Sequence, residues 1–238
     1  EGTLPSERIP VGLNVTSVQK ATARDFGAAL FLAQQGSQPA LIRYTSPYVF
    51  KTSASYAPGP MQRIAVGGAS IFFAAVDATN NTQVDVFALD VQTGVERWRY
   101  QYAGGGSSVY GVAPLYDPQQ RLVYVFPYGG TVTALDAQSG ALRWSLQLNQ
   151  GQVIATQPVL AEGTLYVPAT DDPNVSPFST MIYLTAIDAG AAASRAAGGQ
   201  PVQAAWVASI NVNGQSPMLP MPPIYFEGVV YQSAWSQW

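Results

Sequence analysis

Residues 88–98 decide the fold, and they read ALDVQTGVERW. A second copy at residues 134–144 reads ALDAQSGALRW, and a third opens at residue 186 with AIDAG but reaches its tryptophan only at Trp206. The copies therefore recur about every 40 to 50 residues, a period typical of stacked supersecondary units. This spacing predicts a repeat protein rather than a single irregular domain.

The same order of elements surrounds the first two copies. An apolar strand and a hairpin lead into a strand that ends in Ala-Leu-Asp, followed by a turn of the form D-x-x-[TS]-G and an outer strand that carries Arg-Trp. In the second copy the strands are expected over residues 122–127, 131–136 and 141–148. Short strands with closely spaced turns favour an antiparallel meander, and four-stranded meanders at this period are propeller blades.

We therefore predict an all-β fold, a β-propeller of four-stranded antiparallel blades. About four blades and a truncated one are expected, as a partial ring or a fragment of a larger propeller. Residues 1–59 are predicted to be an N-terminal segment with a degenerate blade, and residues 60–238 to hold the repeat blades. Their boundaries are placed at roughly 60–103, 109–150, 153–211 and, for the partial blade, 217–238.

The repeated motif A-x-D-x-x-[TS]-G-x-x-x-W resembles the tryptophan-docking motif of the quinoprotein dehydrogenase propellers, the PQQ-like repeat family. The third copy lacks the adjacent Thr-Gly and carries an insert rich in Ala, Gly, Ser and Gln before its tryptophan. The resemblance implies that each tryptophan wedges between adjacent blades, so the motif concerns fold and not activity. The matching positions are Ala88, Asp90, Thr93, Gly94, Trp98, Ala134, Asp136, Ser139, Gly140, Trp144, Ala186, Asp188 and Trp206.

The chemistry of the motif agrees with a structural role. A carboxylate at Asp90 or Asp136 can accept backbone N–H groups across the tight turn, and Gly94 or Gly140 can adopt a positive φ there. The outer strands also carry arginines beside the tryptophans, where charge discourages edge-to-edge pairing of sheets. These arginines are Arg97, Arg99 and Arg143.

The composition excludes several classes of function. Histidine and cysteine are both absent, so disulfides, thiolate catalysis, the usual triads and His- or Cys-based zinc sites are ruled out. Only 11% of residues are charged and the net charge is −3, without the basic stripe that a nucleic acid partner requires. No apolar run is long enough for a transmembrane segment.

Three sequons bear on the compartment: Asn14, Asn80 and Asn174. The last two fall in corresponding hairpins, between the second and third strands of their blades. We therefore expect a secreted or extracellular glycoprotein, with a periplasmic location as the alternative, and glycans that leave the opposite face or the open blade ends for partners.

Enzymes of the resembling family hold a quinone and calcium near the propeller axis, but no residue set here is predicted to be catalytic. The weak calcium candidates are Asp171, Asp172 and Asn174; a second oxygen-rich cluster comprises Asp77, Asn80, Asn81 and Asp85. Both clusters fall in polar hairpin loops without EF-hand-like spacing, so solvated loops are the favoured interpretation. No cofactor is expected; PQQ with calcium belongs only to the alternative function below.

Two further segments have structural and functional interpretations. The insert at residues 189–203 includes an alanine-rich stretch, residues 191–197, which can form one or two helical turns as a decoration or as a partner-docking element. Residues 216–223 are proline-rich and are expected to be a stiff connector between blades.

The leading hypothesis is a non-catalytic extracellular propeller that acts as a protein-interaction or structural scaffold. A protein partner, the remainder of a longer chain or a homo-oligomer would cover the open blade faces. The alternative is a fragment of a PQQ-dependent dehydrogenase whose active-site residues lie elsewhere. A third hypothesis is carbohydrate binding through exposed aromatics such as Tyr44, Tyr48, Tyr110 or Trp235.

Overall fold

The computed structural model describes residues 15–23, 28–35, 38–44, 49–50, 56–57, 65–77, 84–91, 94–101, 112–127, 129–149, 151–154, 156–171, 181–211 and 218–236. These residues form antiparallel β-sheets, which we name A to E in chain order, and one helix. None of the helical structure in this part of the chain is long and apolar enough to cross a membrane.

The strands of sheets A and B are β1 (Val15–Ala23), β2 (Ala28–Gln35), β3 (Gln38–Tyr44), β4 (Val49–Phe50), β5 (Tyr56–Ala57), β6 (Ala65–Gly67), β7 (Ser70–Asp77), β8 (Val84–Asp90) and β9 (Glu96–Gln101). Those of sheet C are β10 (Leu115–Asp117), β11 (Leu122–Val125), β12 (Thr131–Asp136) and β13 (Leu142–Gln147). Sheet D contains β14 (Gln152–Ile154), β15 (Val159–Ala161), β16 (Thr164–Asp171), β17 (Met181–Asp188) and β18 (Trp206–Asn211), with helix α1 (Ala189–Ala197) between its last two strands. Sheet E contains β19 (Met218–Pro220), β20 (Ile224–Phe226), β21 (Val229–Tyr231) and β22 (Ala234–Ser236).

Sheets A and C are meanders in which strands adjacent in sequence pair antiparallel. In sheets B and D the first strand is split into two short pieces that pair with opposite ends of the same second strand, as β14 and β15 do with β16. What we call sheet E is two separate two-stranded sheets, β20 with β21 and β19 with β22, in an arrangement that resembles the split start of sheets B and D. The predicted all-β architecture of four-stranded antiparallel sheets is therefore confirmed.

Two short hairpins follow directly from their turn residues. Both central residues have positive φ in the turn at Glu162 and Gly163, with values of 47° and 73°, and at Glu227 and Gly228, with values of 47° and 79°. Positive φ at both central positions is the type I′ geometry, whose twist matches the flanking strands. The equivalence of these turns places β20 and β21 in the same structural role as β15 and β16.

The apolar core lies between consecutive sheets. The cluster between sheets B and C contains Phe72, Val86, Ala88, Trp98, Val123, Val125 and Leu135. The cluster between sheets C and D includes Leu122, Tyr124, Val132, Ala134, Trp144, Leu165, Val167 and Ile187, together with Ala189 and Ala192 of α1. Each sheet thus depends on the next one in the chain to bury one of its faces.

Helix α1 fills the place of the D-x-x-[TS]-G turn in sheet D. Its N-cap is Asp188, whose side chain accepts a hydrogen bond from the Ala191 backbone N–H at 2.8 Å. An aspartate is among the preferred N-cap residues because its carboxylate satisfies one of the unpaired amides of the first turn. The predicted helical turns over residues 191–197 are confirmed, and the helix begins two residues earlier.

Candidate functional site

The junction between sheets B and C shows how consecutive sheets are joined. Trp98 on β9 is 8% exposed, and its indole Nε1 donates a hydrogen bond to the carbonyl oxygen of Ala137 in sheet C at 3.0 Å. The ring lies against Gly140, where a Cβ atom would come within 2.7 Å of the Trp98 ring. Only glycine leaves room for the indole, so the tryptophan of one sheet packs against the glycine in the turn of the next sheet. We call this glycine the seat of the tryptophan.

The turn that forms this seat is fixed by its aspartate. The Oδ1 atom of Asp136 accepts hydrogen bonds from the backbone N–H of Gln138 at 3.1 Å and from that of Ser139 at 2.8 Å. Gly140 closes the turn with a φ of 73°, and Gly94 has a φ of 71° at the same position of sheet B. This conformation is costly for residues with a Cβ, which is the reason for glycine at both positions.

An arginine on the outer strand completes the turn. Arg143 donates a hydrogen bond to Asp136 Oδ2 at 2.7 Å, and Arg97 forms the equivalent ion pair with Asp90. The hydrogen bond from Arg143 is the largest influence that lowers the pKa of Asp136, to about 2. Besides charging the outer strand, these two arginines therefore hold the docking turn. Arg99 instead pairs with Glu96 and lies over the Phe87 ring at 4.6 Å.

Each tryptophan also belongs to a row of three residues across its own sheet. Ala88 pairs with Phe72 on one side and Trp98 on the other, and Ala186 pairs in the same way with Tyr166 and Trp206. The aromatic ring and the indole meet above the small alanine, with ring centroids 5.8 Å apart in sheet B and 6.0 Å apart in sheet D. Sheet C repeats the row with Tyr124, Ala134 and Trp144, whose rings are 5.6 Å apart.

A second aromatic contact links the first strand of one sheet to this row in the sheet before. Tyr116 of sheet C stacks on Phe72 at 5.8 Å, and Tyr225 of sheet E stacks on Tyr166 at 6.1 Å. The Tyr225 hydroxyl is also hydrogen-bonded to the Glu162 carboxylate, and this bond is the main cause that raises the pKa of Tyr225 to about 12. Sheet E therefore sits on sheet D in the way that sheet C sits on sheet B.

The junction between sheets C and D lacks one of these interactions. Trp144 is 5% exposed, but its Nε1 has no hydrogen-bond partner among the described residues. The position equivalent to Ala137 is Ala189, the first residue of α1, and Ala189 and Ala192 pack in the cluster that contains Trp144. Because helical carbonyls are committed to the helix's own hydrogen bonds, replacing the turn by a helix removes the acceptor.

Trp206 has the same register as the two other tryptophans but a different environment. It is 43% exposed, and Ile210 on the same side of β18 is 49% exposed, whereas the corresponding Leu148 of sheet C is buried at 5%. Every residue of β18 is exposed. The face of sheet D that looks toward sheet E is therefore only partly covered by the four short strands of sheet E.

Sheet E presents a second exposed apolar surface. Register places Tyr231 at the position of Tyr124, and Val229 at that of Leu122, both of which are buried in the cluster between sheets C and D. In sheet E the corresponding side chains are exposed. We call the exposed set on both sheets the open face; it comprises Trp206, Ala208, Ile210, Ile224, Phe226, Val229 and Tyr231.

A buried acid–phenol pair in sheet C has no counterpart among the sequence predictions. The Tyr124 hydroxyl donates to Asp117 Oδ2 at 2.9 Å, and Asp117 Oδ1 accepts from the backbone N–H of Gln119 and Gln120 at 2.8 and 3.1 Å. Burial is the main cause that raises the pKa of Tyr124. With every oxygen engaged in the turn or the phenol, this pair stabilises the hairpin. An aspartate followed by turn residues was the only sequence signal for it.

The calcium candidates are only partly described. Asp171 ends β16 and accepts a hydrogen bond from the Tyr183 hydroxyl at 3.0 Å, whereas Asp172 and Asn174 lie outside the described residues. Within the described part of the chain, no three acidic side chains converge on a point that could hold a metal ion. The expectation that no cofactor is bound therefore remains a prediction.

Other predicted positions fall at strands or outside the described part. Asp85 lies in β8, buried at 1%, with Arg99 Nη1 3.7 Å from its carboxylate, so it does not belong to a solvated loop as we expected from the sequence. Asp77 is the last residue of β7. Thr93 and the sequon residues Asn14, Asn80 and Asn174 lie outside the described residues.

Comparison with known proteins finds one family model that matches part of the chain. Residues 85–186 match the family model described as the outer membrane protein assembly factor BamB. No curated protein sequence matches the chain.

Similar solved structures share low sequence identity with the chain. The computationally designed Ika8 protein has a TM-score of 0.50 and 13% identity over 94% of this chain and 58% of its own. BamB from Moraxella catarrhalis has a TM-score of 0.46 and 14% identity over 82% and 64% of the two chains. A europium-containing methanol dehydrogenase has a TM-score of 0.44 and 15% identity over 65% of this chain, which spans only 26% of that enzyme.

The family match covers the first two motif copies, in which the aspartate turn, the seated tryptophan and the four-stranded sheet occur together. Over residues 85–186 the chain is therefore similar to the PQQ-like β-propeller repeats of that family model.

Proposed function

We propose that this chain is a non-catalytic scaffold that binds a protein partner through the open face. The observation that carries the proposal is the exposure of side chains that are buried at equivalent positions of the preceding sheets. Phe226 is 59% exposed and Tyr231 is 54% exposed, whereas Tyr124, the equivalent of Tyr231, is fully buried. Exposed apolar patches are a feature of surfaces that bind proteins.

The electrostatic character of the open face supports a protein partner rather than a charged ligand. Its seven residues are all uncharged, and aromatic side chains such as those of Trp206, Phe226 and Tyr231 are enriched in protein interfaces. Glu227 in the turn of sheet E supplies a charge at its rim. An aromatic centre with a polar rim is the usual arrangement of an interface.

We further propose that the protein acts outside the cytosol, secreted or in a periplasm. The corresponding positions of two sequons support the first location, and the absence of cysteine is compatible with both. The name of the matching family, which refers to assembly of outer membrane proteins, supports a periplasmic scaffold. The two locations can be distinguished by the sequons, which we expect to carry glycans in a secreted protein and not in a periplasmic one.

The test compares the wild-type chain with two variants, each with one exposed apolar residue substituted. All three are purified from the natural source of the protein. Phe226→Ser alters the open face, and Leu142→Ser is the matched control because Leu142 is 53% exposed on the outer strand of sheet C. Size-exclusion chromatography with light scattering is expected to show a stoichiometric complex for the wild-type chain and the control. The Phe226→Ser variant is expected to lose it.

A single uncomplexed species for the wild-type chain at micromolar concentration would contradict the proposal. Addition of PQQ and calcium chloride, followed by reduction of an artificial electron acceptor with an alcohol as substrate, examines the alternative function. Activity that depends on both additions would replace the scaffold proposal by the dehydrogenase hypothesis.

A further inference from the structure

We propose that the outer edge of sheet D is a dimer interface, at which β18 pairs antiparallel with β18 of a second copy of this chain. The inference goes beyond the proposed function, because it concerns the backbone edge of a strand and not the open face. The pairing would join the two copies of sheet D into one continuous sheet.

The outer edge of a sheet in this fold is not covered by the neighbouring sheets. Consecutive sheets pack face to face through the apolar clusters between B and C and between C and D. Sheet C has a neighbour on each face, yet β13 pairs only with β12 among the described residues. Within the same residues β18 pairs only with β17. The unpaired edge of β18 therefore follows from its place as an outer strand, and not from the sheet that follows it.

The outer strands of sheets B and C carry charges that β18 lacks. The strand β9 reads ERWRYQ and β13 reads LRWSLQ, whereas β18 reads WVASIN. Arg99 of β9 lies opposite Phe87 on β8. The same position in sheet D, opposite Thr185, is occupied by the apolar Val207. Charged side chains on an edge strand discourage association with another strand, so β18 is without this protection.

A second protective feature is also missing from β18. The pairing of β8 with β9 and that of β12 with β13 each contain a register shift next to the motif alanine. Irregularities of this kind bend and twist an edge strand, which hinders pairing on its other side. By contrast, β18 pairs with β17 in unbroken register over all six of its residues. It therefore presents a regular edge to a further strand.

This edge is accessible on the side where the neighbouring sheet is present. Thr185 lies on the same side of β17 as Ile187, which belongs to the cluster between sheets C and D. Val207 is paired with Thr185 and lies on this side too. Its side chain is 47% exposed although sheet C is in place. A second strand can therefore reach β18 without displacing sheet C.

The sequence of β18 is self-complementary in one antiparallel register, which identifies a second copy as the occupant. When two copies of β18 cross at Ala208, this residue lies opposite its own copy. Val207 is then opposite Ser209 of the second copy, and Trp206 is opposite Ile210 of the second copy. An aromatic side chain opposite a β-branched one is a favourable cross-strand pair, and no pair brings two charges together. Because each copy has one β18, the association closes at a two-fold dimer.

Sedimentation equilibrium of the full chain, in a dilution series up to about 0.2 mM, measures the association. A six-residue edge is a small interface, so we expect a monomer–dimer equilibrium with a micromolar Kd. Val207→Arg introduces the charge that β9 carries as Arg99 and should raise the Kd at least about tenfold. Ser145→Arg is the matched control, because it adds the same charge at the same position of β13 and should leave the Kd unchanged.

The absence of cysteine from the chain allows a direct test of the register. Residues opposite each other in antiparallel strands have Cα atoms about 4.5 to 5.5 Å apart, a separation that a disulfide can span. Ala208→Cys should therefore give a disulfide-linked dimer on mild oxidation, detected by non-reducing electrophoresis. Ser145→Cys, which is exposed on the outer strand of sheet C, should not. Thermal unfolding verifies that each variant remains folded.

Three outcomes would overturn the inference: a wild-type chain that stays monomeric throughout the series, a Val207→Arg variant that dimerises as tightly as the wild type, or an Ala208→Cys variant that is cross-linked no more than Ser145→Cys. Phe226→Ser separates this proposal from the proposed function, since it alters the open face and should leave the pairing of β18 unchanged. A dimer that Phe226→Ser abolishes and Val207→Arg preserves would place self-association on the open face and not at the edge of sheet D.

Discussion

The indole N–H of Trp98 donates to the carbonyl oxygen of Ala137, which lies in the next sheet. The same sheet-to-sheet contact in sheet C leaves the N–H of Trp144 without a described partner. The two tryptophans share a motif, a register and a buried environment, but within the described part of the chain only Trp98 has an acceptor for its N–H. This difference makes them a natural pair for measuring what the hydrogen bond contributes.

We expect Trp98→Phe to lower the free energy of unfolding by about 1 kcal/mol more than Trp144→Phe. The first substitution leaves the Ala137 carbonyl without its donor, whereas the second removes a buried donor that already lacks a partner. Urea unfolding of both variants measures the difference. Equal losses would show that the Trp98 hydrogen bond contributes nothing or that an ordered water serves Trp144.

Truncation of the whole indole measures the packing. Trp98→Ala is expected to cost about 3–5 kcal/mol, because it leaves a cavity between sheets B and C. An unchanged midpoint in thermal melting would contradict the role of Trp98 in joining the sheets.

The glycine seat gives a separate prediction. Gly140→Ala is expected to cost at least about 3 kcal/mol, since it combines a strained positive φ with a Cβ inside the contact distance of Trp98. Gly151→Ala is the control: its φ is 79° but no atom lies within 4 Å of the added Cβ, so only the backbone term of about 1–2 kcal/mol remains. The excess cost at Gly140 should fall in a Trp98→Ala background. Similar costs at the two glycines would show that the indole is not seated there.

The docking turn also predicts a pH dependence. The pKa of Asp136 is lowered from 3.8 to about 2, so the carboxylate contributes stability that is present above about pH 4 and is lost as the pH falls through 2. Because the Arg143 side chain is 56% exposed, we expect less than about 1 kcal/mol, weakened further by salt. NMR titration should give a higher Asp136 pKa in the Arg143→Gln variant. An unaltered pKa would remove Arg143 as the cause.

The contact between sheets D and E can be followed through a phenol. Glu162→Gln is expected to lower the pKa of Tyr225 from about 12 toward its ordinary value of 10.0, because the charged acceptor of its hydroxyl is lost. Difference absorbance during an alkaline titration, compared with the Tyr225→Phe variant, isolates this residue among the tyrosines. If the titration curve is the same with and without Glu162, the two sheets are not joined there.

The part of the fold that can be predicted from the sequence is the part that the motif residues determine. The spacing of the four motif residues predicts a strand, a tight turn and an outer strand, because each position requires a particular side-chain size or backbone φ. These residues are Ala88, Asp90, Gly94 and Trp98. Trp206 keeps its register although an insert precedes it, since α1 lengthens only the turn and leaves the pairing with Ala186 intact. Trp206 therefore occupies the same position in its sheet as Trp98 does, although it comes later after the motif aspartate.

The junction chemistry depends on contacts that local patterns do not encode. Among the described residues, the missing acceptor of Trp144 follows from a helix in the next sheet, and Trp206 is exposed because the short strands of sheet E cover it only in part. The aromatic rows pair Phe72, Tyr124 and Tyr166 with alanines at unequal sequence distances, because the second hairpin varies in length. An alignment of the motif alone does not bring these aromatics into register.

The sequons remain a prediction. If Asn80 and Asn174 carry glycans, treatment of the natural protein with an N-glycosidase should lower its intact mass and convert each modified asparagine to aspartate. Asn80→Gln and Asn174→Gln assign the change to each site. An unaltered mass would favour the periplasmic location over the secreted one.

The most direct test of the central claim is amide hydrogen exchange in β21, measured on the chain alone and in the complex isolated from its natural source. Our account predicts that amides of Val229–Tyr231 exchange faster than those of Leu122–Val125 in the free chain, because among the described residues β11 is paired on both edges and β21 on one. On binding, β21 should become protected to a similar degree as β11. A complex in which β21 exchanges as fast as in the free chain would contradict the claim that the partner binds at the open face of sheet E.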